Sequence, residues 1–222
     1  MIPGVILSGG ASSRMGGYPK ALLPTGRGDE TFLGRIAATL VAGGASDIVV
    51  VTGYHDEAIS ELVEDLPAPV RLVRNTTPEA GQLSSLLVAL RTVDHPDVPA
   101  ILVTLVDLPL LSASTVRAVL DGYRRTRAPL VRPERDGRHG HPVLFDRSLF
   151  DELRSADLER GAKPVVRAHA ADGLDIASDD DGAFVDIDTP QDYERAFGRR
   201  LSLPAGSRPE RKGWWTRGGS NP

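Results

Sequence analysis

Residues 5–20 are VILSGGASSRMGGYPK. The apolar residues at the start of this stretch predict a short buried strand. The glycines that follow predict a sharp turn, because a positive φ carries little strain only for glycine. Glycine also lets backbone N–H groups come close to phosphate oxygens and form an anion-binding concavity. Arg14 and Lys20 add positive charge where a triphosphate would lie. The alternative is an ordinary glycine-rich turn with two solvated basic residues.

Two common phosphate-binding motifs do not fit this loop. The Walker pattern G-x-x-x-x-G-K-[ST] fails because Lys20 lies between Pro19 and Ala21. The dinucleotide pattern G-x-G-x-x-G is also missing from the loop. What remains is G-G-x-S-x-R-M-G, then a short gap, then K-x-L-L.

Apolar, β-branched runs alternate with amphipathic stretches as far as Arg132. This alternation of strand and helix predicts an α/β fold with a doubly wound, mostly parallel sheet. The predicted strands are 5–7, 47–52, 70–73, 99–106 and 130–132. The predicted helices are 32–41, 83–90 and 113–125.

The rhythm changes after Arg132, which predicts a small C-terminal subregion. We expect a loop at 135–142, an edge strand at 143–145, two short helices at 148–155 and 162–169, and a last strand at 184–188. A final helix is expected from Pro190 to Phe197, since proline is favoured in the first turn of a helix. One domain should therefore cover residues 1–200. Residues 201–222 are rich in Gly, Ser, Pro and Arg and are expected to form a disordered tail.

Composition narrows the function classes. The chain has 222 residues, 41% hydrophobic and 25% charged, which is typical of a globular protein able to bury a core. It has no cysteine, which excludes disulfides, thiolate metal sites and thiol nucleophiles. A net charge of −4 argues against nucleic acid as a partner. Neither a signal peptide nor an apolar run long enough for a bilayer is apparent, so we expect a cytoplasmic protein without a membrane partner.

Two acidic segments are candidate metal sites. Asp107 ends the strongest predicted strand, and ligands of open α/β sheets bind beyond the carboxyl ends of the strands. A carboxylate there could hold Mg²⁺, although a turn or N-cap aspartate is the alternative. Asp186 and Asp188 would share one face of the last strand, because side chains alternate along a strand. Asp188 or Thr189 could instead cap the final helix, leaving Asp186 to face the metal.

Two further segments carry candidate binding residues. Asn75 and the helix start at Gly81 and Ser84 could meet a ligand, since helix N-termini bind anions and polar groups. A simple N-cap is the alternative. The segment 138–145, with Gly140-His141-Pro142 at its centre, predicts a binding loop or a structural turn. Spacing alone does not make a zinc site of its histidines.

The remaining loop pattern resembles the signature loop of the family of molybdenum cofactor guanylyl- and cytidylyltransferases and sugar-phosphate nucleotidyltransferases. The D-x-P after the strong strand, the D-I-D-T-P segment and the G-H-P-V-L-F segment resemble parts of the same family, in the same order. The resemblance implies a Rossmann-like fold, catalytic roles for Arg14, Lys20 and Asp107, and a metal site made by Asp107 and Asp186. It implies acceptor binding by Gly140, His141 and Pro142. It also implies these nucleotide-binding residues: Leu7, Ser8, Gly9, Gly10, Ser12, Arg14, Lys20, Asn75, Gly81 and Ser84.

The implied reaction is transfer of a nucleoside monophosphate from a triphosphate to the phosphate of a molybdopterin-type acceptor, with Mg²⁺ as cofactor and pyrophosphate released. CMP is the expected group, because three segments are similar to the cytidylyl branch, whereas the Gly9-Gly10 pair resembles the guanylyl branch. The alternatives are a GTP-dependent enzyme, a sugar- or polyol-phosphate nucleotidyltransferase, and a nucleotide-binding maturation partner without turnover. A molybdoenzyme or its maturation factor is a further candidate partner.

Overall fold

The computed structural model describes residues 1–66 and 70–201. The predicted disordered tail therefore lies, apart from Leu201, outside the described residues. The described residues form one eight-stranded sheet whose order is β3-β2-β1-β4-β7-β5-β6, with β8 paired to β5. The strands are β1 Gly4–Ser8, β2 Ile48–Thr52, β3 Val70–Arg74, β4 Ala100–Leu105, β5 Leu130–Arg135, β6 Arg138–His139, β7 Val143–Asp146 and β8 Leu174–Ala177.

The order of the strands reverses at β1, as in a Rossmann-like fold. β1 pairs in parallel with β2 on one side and with β4 on the other, so Gly4 stands between Ile48 and Leu102. β7 is antiparallel to both of its neighbours, β4 and β5. In such sheets ligands bind in the crevice beyond the carboxyl ends of the strands at the reversal point. A ligand site is therefore expected at the residues that follow β1 and β4.

Helices cover both faces of the sheet, because successive strand residues are apolar on both sides. The helices are α1 Phe32–Gly43, α2 Asp56–Glu64, α3 Gln82–Val93, α4 Ala113–Thr126, α5 Phe150–Ser155, α6 Lys163–Ala168 and α7 Pro190–Phe197. One core lies between the sheet and α1, α2 and α4, and includes Ile6 and Val50. The other lies beneath α3, α5 and α6, and includes Val5 and Val49. The predicted doubly wound, mostly parallel α/β fold is confirmed.

A third, smaller core fixes the C-terminal helix. Tyr193 of α7 is buried against Phe32 and Met15, and its hydroxyl donates a hydrogen bond of 2.8 Å to the carbonyl of Pro24. Fully burying an aromatic side chain contributes about 1.5–3 kcal/mol. This packing holds the start of α7 beside the end of the glycine-rich loop, since Met15 belongs to that loop.

Four elements differ from the sequence predictions. Helix α2 and strands β6 and β8 were not predicted, and the strand expected at 184–188 is wrong. In the structure a short 3-10 turn at Asp181–Ala183 is followed by a turn at Phe184 and then by chain without regular secondary structure. Phe184 and Ile187 are buried whereas Val185 and Asp186 are exposed, so burial recurs every third residue and not every second. None of the helices in the described residues is long and apolar enough to cross a bilayer.

Candidate active site

The loop after β1 is shaped by close packing at its start and by left-handed residues at its end. Gly9 and Gly10 do not have a positive φ, which corrects the reason predicted for them. Gly9 is instead required by close approach, because a Cβ there would lie 2.8 Å from Ser85 Oγ. Ser12 adopts a φ of 50°, an uncommon conformation for a residue other than glycine.

The residues after Ser12 turn the chain back on itself. The N–H groups of Met15 and Gly17 donate to the Ser12 carbonyl at 2.9 and 3.1 Å. Gly16 and Gly17 have φ angles of 65° and 82°, where glycine carries no Cβ strain. The N–H of Lys20 then donates to Ser12 Oγ at 3.3 Å. This turn aims the Lys20 side chain back towards the crevice beyond β1 and β4.

Four charged side chains meet in that crevice. Lys20 Nζ lies 3.0 Å from Asp107 Oδ2 and also contacts Asp188. Arg14 Nη1 lies 2.8 Å from the other oxygen of Asp188. The Lys20 side chain is only 12% exposed, so its charge acts where water screens poorly. Lys20, Arg14 and Asp107 are therefore brought together, and Asp188 joins them.

Asp188 is positioned by two hydrogen-bonded anchors. The N–H of Ile187 donates to the Asp107 carbonyl at 2.8 Å, which ties this segment to the end of β4. Thr189 is the N-cap of α7 and forms a reciprocal capping box with Asp192. Thr189 is thus the cap among the two predicted candidates, and Asp188 is free to contact Lys20.

The capping box makes a testable contribution to stability. Hydrogen bonds from Thr189 and Arg195 lower the pKa of Asp192 to about 2, against partial desolvation that acts in the opposite direction. A lowered folded-state pKa stabilises the protein above the unfolded pKa of about 3.9, and this stabilisation is lost as the pH falls from there to about 2. We expect Asp192→Ala to reduce the free energy of unfolding by about 1 kcal/mol at pH 7. Thermal melts at pH 7 and in the acid range measure this, and the two proteins should converge in acid. Equal melting temperatures at pH 7 would contradict it.

Asp186, the predicted metal partner, lies near this cluster but does not contact Lys20. The residue is exposed, yet partial desolvation of its carboxyl raises its pKa, and the negative charges of Asp107 and Asp188 raise it further. Asp188 lines the cavity at the crevice and Asp186 does not. Pairing of Asp107 with Asp186 stays a prediction, and Asp188 is a second candidate.

The donor atoms of this cluster fit a magnesium ion that is bound jointly by protein carboxylates and by the phosphates of a nucleotide. Asp107 Oδ1 is buried and has no hydrogen-bond partner, so one carboxylate oxygen is available to a cation. The described residues contain no group of three or more His, Cys, Asp or Glu side chains that could hold a metal by themselves. Mg²⁺ is usually bound by one or two carboxylates together with substrate phosphates, which agrees with this arrangement.

A cavity of about 490 Å³ opens above the cluster. Eight of the ten predicted nucleotide-binding residues line it, namely Leu7, Ser8, Gly9, Gly10, Ser12, Arg14, Lys20 and Gly81. Asp107 and Asp188 line it as well. This cavity unites the glycine-rich loop, the carboxylates and the start of α3.

Asn75 and Ser84 stand behind the wall of this cavity. The buried Asn75 amide donates to Ser84 Oγ at 2.8 Å and to Ser85 Oγ at 3.0 Å, and its oxygen accepts from the N–H of Thr77. These bonds shape the N-terminus of α3. Ser85 reaches the cavity in place of Ser84. Nucleotide binding by Asn75 and Ser84 stays a prediction, and neither residue lines the cavity.

Further residues line the cavity without having been predicted. Tyr54 and His55 follow β2, and His55 Nε2 lies 3.3 Å from the Ala11 carbonyl of the glycine-rich loop. Gln82, the first residue of α3, also lines the wall. The position of Tyr54 and His55 directly after a parallel strand was the signal available in the sequence.

A second cavity, of about 810 Å³, adjoins the first and shares part of its wall. Gly140 and His141 line it, whereas Pro142 does not. Gly140 cannot be replaced without movement, because a Cβ would lie 2.3 Å from the Ala183 carbonyl. Burial lowers the pKa of His141, so its ring is neutral at pH 7, and Nδ1 lies 3.3 Å from the Val103 carbonyl. Acceptor binding by all three residues stays a prediction.

Comparison with known proteins gives a consistent assignment. Residues 4–173 match the family described as MobA-like NTP transferase domain. The chain is 34% identical over 206 residues to the nicotine blue oxidoreductase of Paenarthrobacter nicotinovorans, covering 87% of this chain and 95% of that protein. It is 31% identical over 182 residues to the probable molybdenum cofactor guanylyltransferase of Rhodopirellula baltica, covering 74% and 84%.

A solved structure extends the comparison to metal binding. The manganese complex of Rv0371c from Mycobacterium tuberculosis superposes with a TM-score of 0.69 at 27% identity, covering 89% of this chain and 98% of that one. The overlap includes nearly the whole of both chains. A relative of comparable length with this fold has therefore been solved in complex with manganese.

Proposed function

Because the chain belongs to the MobA-like NTP transferase family and is thus a nucleotidyltransferase, we propose that it transfers CMP from CTP to the phosphate of a molybdopterin-type acceptor. Mg²⁺ is the proposed cofactor, and pyrophosphate is the second product. The observation that carries this proposal is the contact of Lys20 with Asp107 and Asp188 at the mouth of the first cavity. The second cavity, next to it, is the proposed acceptor site.

The proposed chemistry needs positioning and charge, and no covalent intermediate. A phosphate oxygen of the acceptor attacks the α-phosphorus in line, and the bond to the departing pyrophosphate breaks. The glycine-rich loop would orient the triphosphate, while Lys20 and Arg14 would stabilise the negative charge of the transferring group. Mg²⁺, held by Asp107 and a second carboxylate, would neutralise part of the triphosphate charge.

A general base is not required, because the acceptor phosphate is already a nucleophile. The proposed chemistry therefore assigns no proton transfer to His141, whose Nδ1 lies 3.3 Å from the Val103 carbonyl. Its proposed role is to shape the acceptor site.

Pyrophosphate release tests the proposal directly. The purified protein is incubated with CTP, Mg²⁺ and a molybdopterin-type acceptor, and pyrophosphate and the dinucleotide product are measured. Turnover that follows a panel of sugar and polyol phosphates instead would favour that alternative. Nucleotide binding without turnover for any acceptor would favour the maturation partner.

The base preference is a separate prediction. With CTP and GTP at equal concentration, we expect cytidylyl product to exceed guanylyl product by about tenfold or more, within the range that a hydrogen-bonding pocket can discriminate. The likeness of three segments to the cytidylyl branch supports this, while the Gly9-Gly10 pair and the Rhodopirellula relative favour GTP. Labelled nucleotides and product chromatography give the ratio. A majority of guanylyl product would reverse the base assignment and leave the reaction type unchanged.

The name of the Paenarthrobacter relative calls for one more control. The same preparation is mixed with NADH or NADPH and with nicotine blue, the compound in that name, and absorbance at 340 nm is followed. Consumption of the reduced nicotinamide without any pyrophosphate release from CTP or GTP would contradict the proposed reaction.

A further inference from the structure

The second cavity is suited to an anionic ligand with a flat or apolar body. Its floor consists of apolar side chains from β1, β4 and β7. Arg160, Lys163 and Arg167 line it on the side of α6, while Glu159 is the one acidic residue that the described part of the chain contributes to its wall. Positive charge around an apolar floor favours ligands that combine a negative group with a hydrophobic surface.

Arg132 places a buried positive charge in the same cavity. Its side chain is only 8% exposed, and Nε donates to Asp175 Oδ1 at 2.8 Å. His139 Nε2 lies 3.1 Å from the other oxygen of Asp175. Although desolvation acts in the opposite direction, the hydrogen bonds from Arg132 and His139 lower the pKa of Asp175, so its carboxylate remains ionised and fixes the guanidinium.

The two terminal nitrogens of Arg132 have no hydrogen-bond partner among residues 1–66 and 70–201. Within the described residues, the buried side-chain polar atoms without a partner are Thr104 Oγ1 and Asp107 Oδ1. The Nη atoms of Arg132 also make no hydrogen bond there but are not in that group, so they are accessible rather than enclosed. The Nη atoms are therefore open to the cavity that Arg132 lines. A buried charge with unused donors is costly unless a ligand or water completes its hydrogen bonds.

The sheet register gives the separation between Arg132 and strand β4. Val131 pairs with Leu144, so Arg132 stands opposite Val143, and Val143 pairs with Val103 of β4. Adjacent strands are about 4.8 Å apart, so Arg132 lies about 10 Å from β4 across the sheet. The carboxylate cluster lies beyond the end of β4, since Asp107 follows Val103 by four residues, which adds about 13 Å along the strand direction. The backbone of Arg132 is therefore about 16 Å from that of Asp107.

We propose that Arg132 is a specificity-determining residue, whose two free Nη groups bind a pair of coplanar acceptor atoms at the far end of the acceptor. Such a pair is present on a carboxylate and on the edge of a flat heterocycle, and it matches the guanidinium fork. The reacting phosphate would then lie at the other end of the ligand, towards the carboxylate cluster beyond the end of β4. The identity of this reacting end rests on the proposed function, whereas binding at Arg132 requires no turnover.

Binding of three fluorescent or absorbing probes to the full chain tests the inference without nucleotide. Pterin-6-carboxylate carries both features, pterin carries the heterocycle edge alone, and 2-naphthoate carries the carboxylate alone. Arg132→Gln removes the charge and the fork, and Arg132→Lys keeps the charge but removes the fork. Arg71→Gln is the matched control, because Arg71 is also a strand arginine of this sheet, is paired with Asp47 at 2.6 Å, and lines neither cavity.

We expect both Arg132 variants to bind pterin-6-carboxylate about 10- to 100-fold more weakly than the wild type, as for loss of a hydrogen bond to a charged group. The control should bind normally. The Arg132 variants should melt at a somewhat lower temperature, because the buried ion pair with Asp175 is lost or weakened, and should keep their affinity for CTP. If the Arg132 variants weaken binding of pterin, the guanidinium binds the heterocycle edge. If they weaken binding of 2-naphthoate, it binds the carboxylate.

Wild-type affinity in either Arg132 variant, or failure of the wild type to bind any probe, would overturn the inference. A joint loss of probe binding, CTP binding and melting temperature would also overturn it, since that pattern indicates a structural role. Arg132-dependent binding in a protein that releases no pyrophosphate would reject the proposed function and leave this inference standing.

Discussion

Lys20→Ala is expected to lower kcat/KM for CTP by about 10²–10³-fold, the loss typical of removing one preorganised group that stabilises transition-state charge. Lys20 is the central cation of the site, since Nζ bridges Asp107 and Asp188 and is nearly buried. Without it, the triphosphate would meet two carboxylates with no positive charge between them. Initial rates of pyrophosphate release over a range of CTP concentrations measure the change.

Two companion variants make this result specific. Arg14→Ala should have a smaller effect, because the Arg14 side chain is 67% exposed and contacts Asp188 alone within the cluster. Arg71→Ala, at a surface ion pair outside both cavities, should leave kcat/KM unchanged. Wild-type turnover of Lys20→Ala would remove the glycine-rich loop from the mechanism.

Asp107→Asn is expected to abolish the response to Mg²⁺ and to reduce turnover by about 10²–10³-fold. The substitution keeps the shape of the side chain but removes the charge that a hard cation requires. The fold should tolerate it, because the amide oxygen of Asn can still accept the hydrogen bond from Lys20, and Oδ1 has no hydrogen-bond partner to lose in the described residues. Rates at increasing Mg²⁺ or Mn²⁺ concentration, together with a thermal melt, measure both effects.

The second metal ligand is decided by two parallel variants. Asp186→Asn and Asp188→Asn differ by two positions, and Asp188 contacts Lys20 and Arg14 whereas Asp186 does not. The variant that raises the Mg²⁺ concentration needed for half-maximal rate marks the ligand. If Asp107→Asn keeps the wild-type metal response, the carboxylate cluster is not a metal site.

The fold could be predicted as far as the main strands because each is a continuous apolar run between helices. Helix α2 was missed because only Ile59 is fully buried, which leaves a weak periodic signal, and its N-cap position, His55, makes no capping bond through its side chain. Strand β8 was missed because it has only four residues, Leu174–Ala177, at the edge of the sheet. Short edge strands bury too little to impose a clear pattern.

Site residues could be predicted where a charged side chain follows the carboxyl end of a predicted strand. Lys20 belongs to the loop after β1, and Asp107 follows β4. The contact of Asp188 with Lys20 was not predicted, because the alternation at 184–188 resembles that of a strand, whereas the chain there is held by the hydrogen bond from Ile187 to Asp107. Arg132 gave no signal as a site residue. Its position opposite Val143 follows from the antiparallel insertion of β7 between β4 and β5, which local sequence does not specify.

Three of the four charged residues that meet in the crevice enter the ribosomal exit tunnel far apart in time. Lys20 precedes Asp107 by 87 positions and Asp188 by 168. At typical synthesis rates of about 5–20 residues per second, roughly 8 to 30 s pass between the first and the last of them. A nascent chain released early would carry the glycine-rich loop and Asp107 without the carboxylate that completes the cluster. Recovery of activity after denaturation should accordingly trail recovery of helical signal, because this closure joins the two ends of the chain.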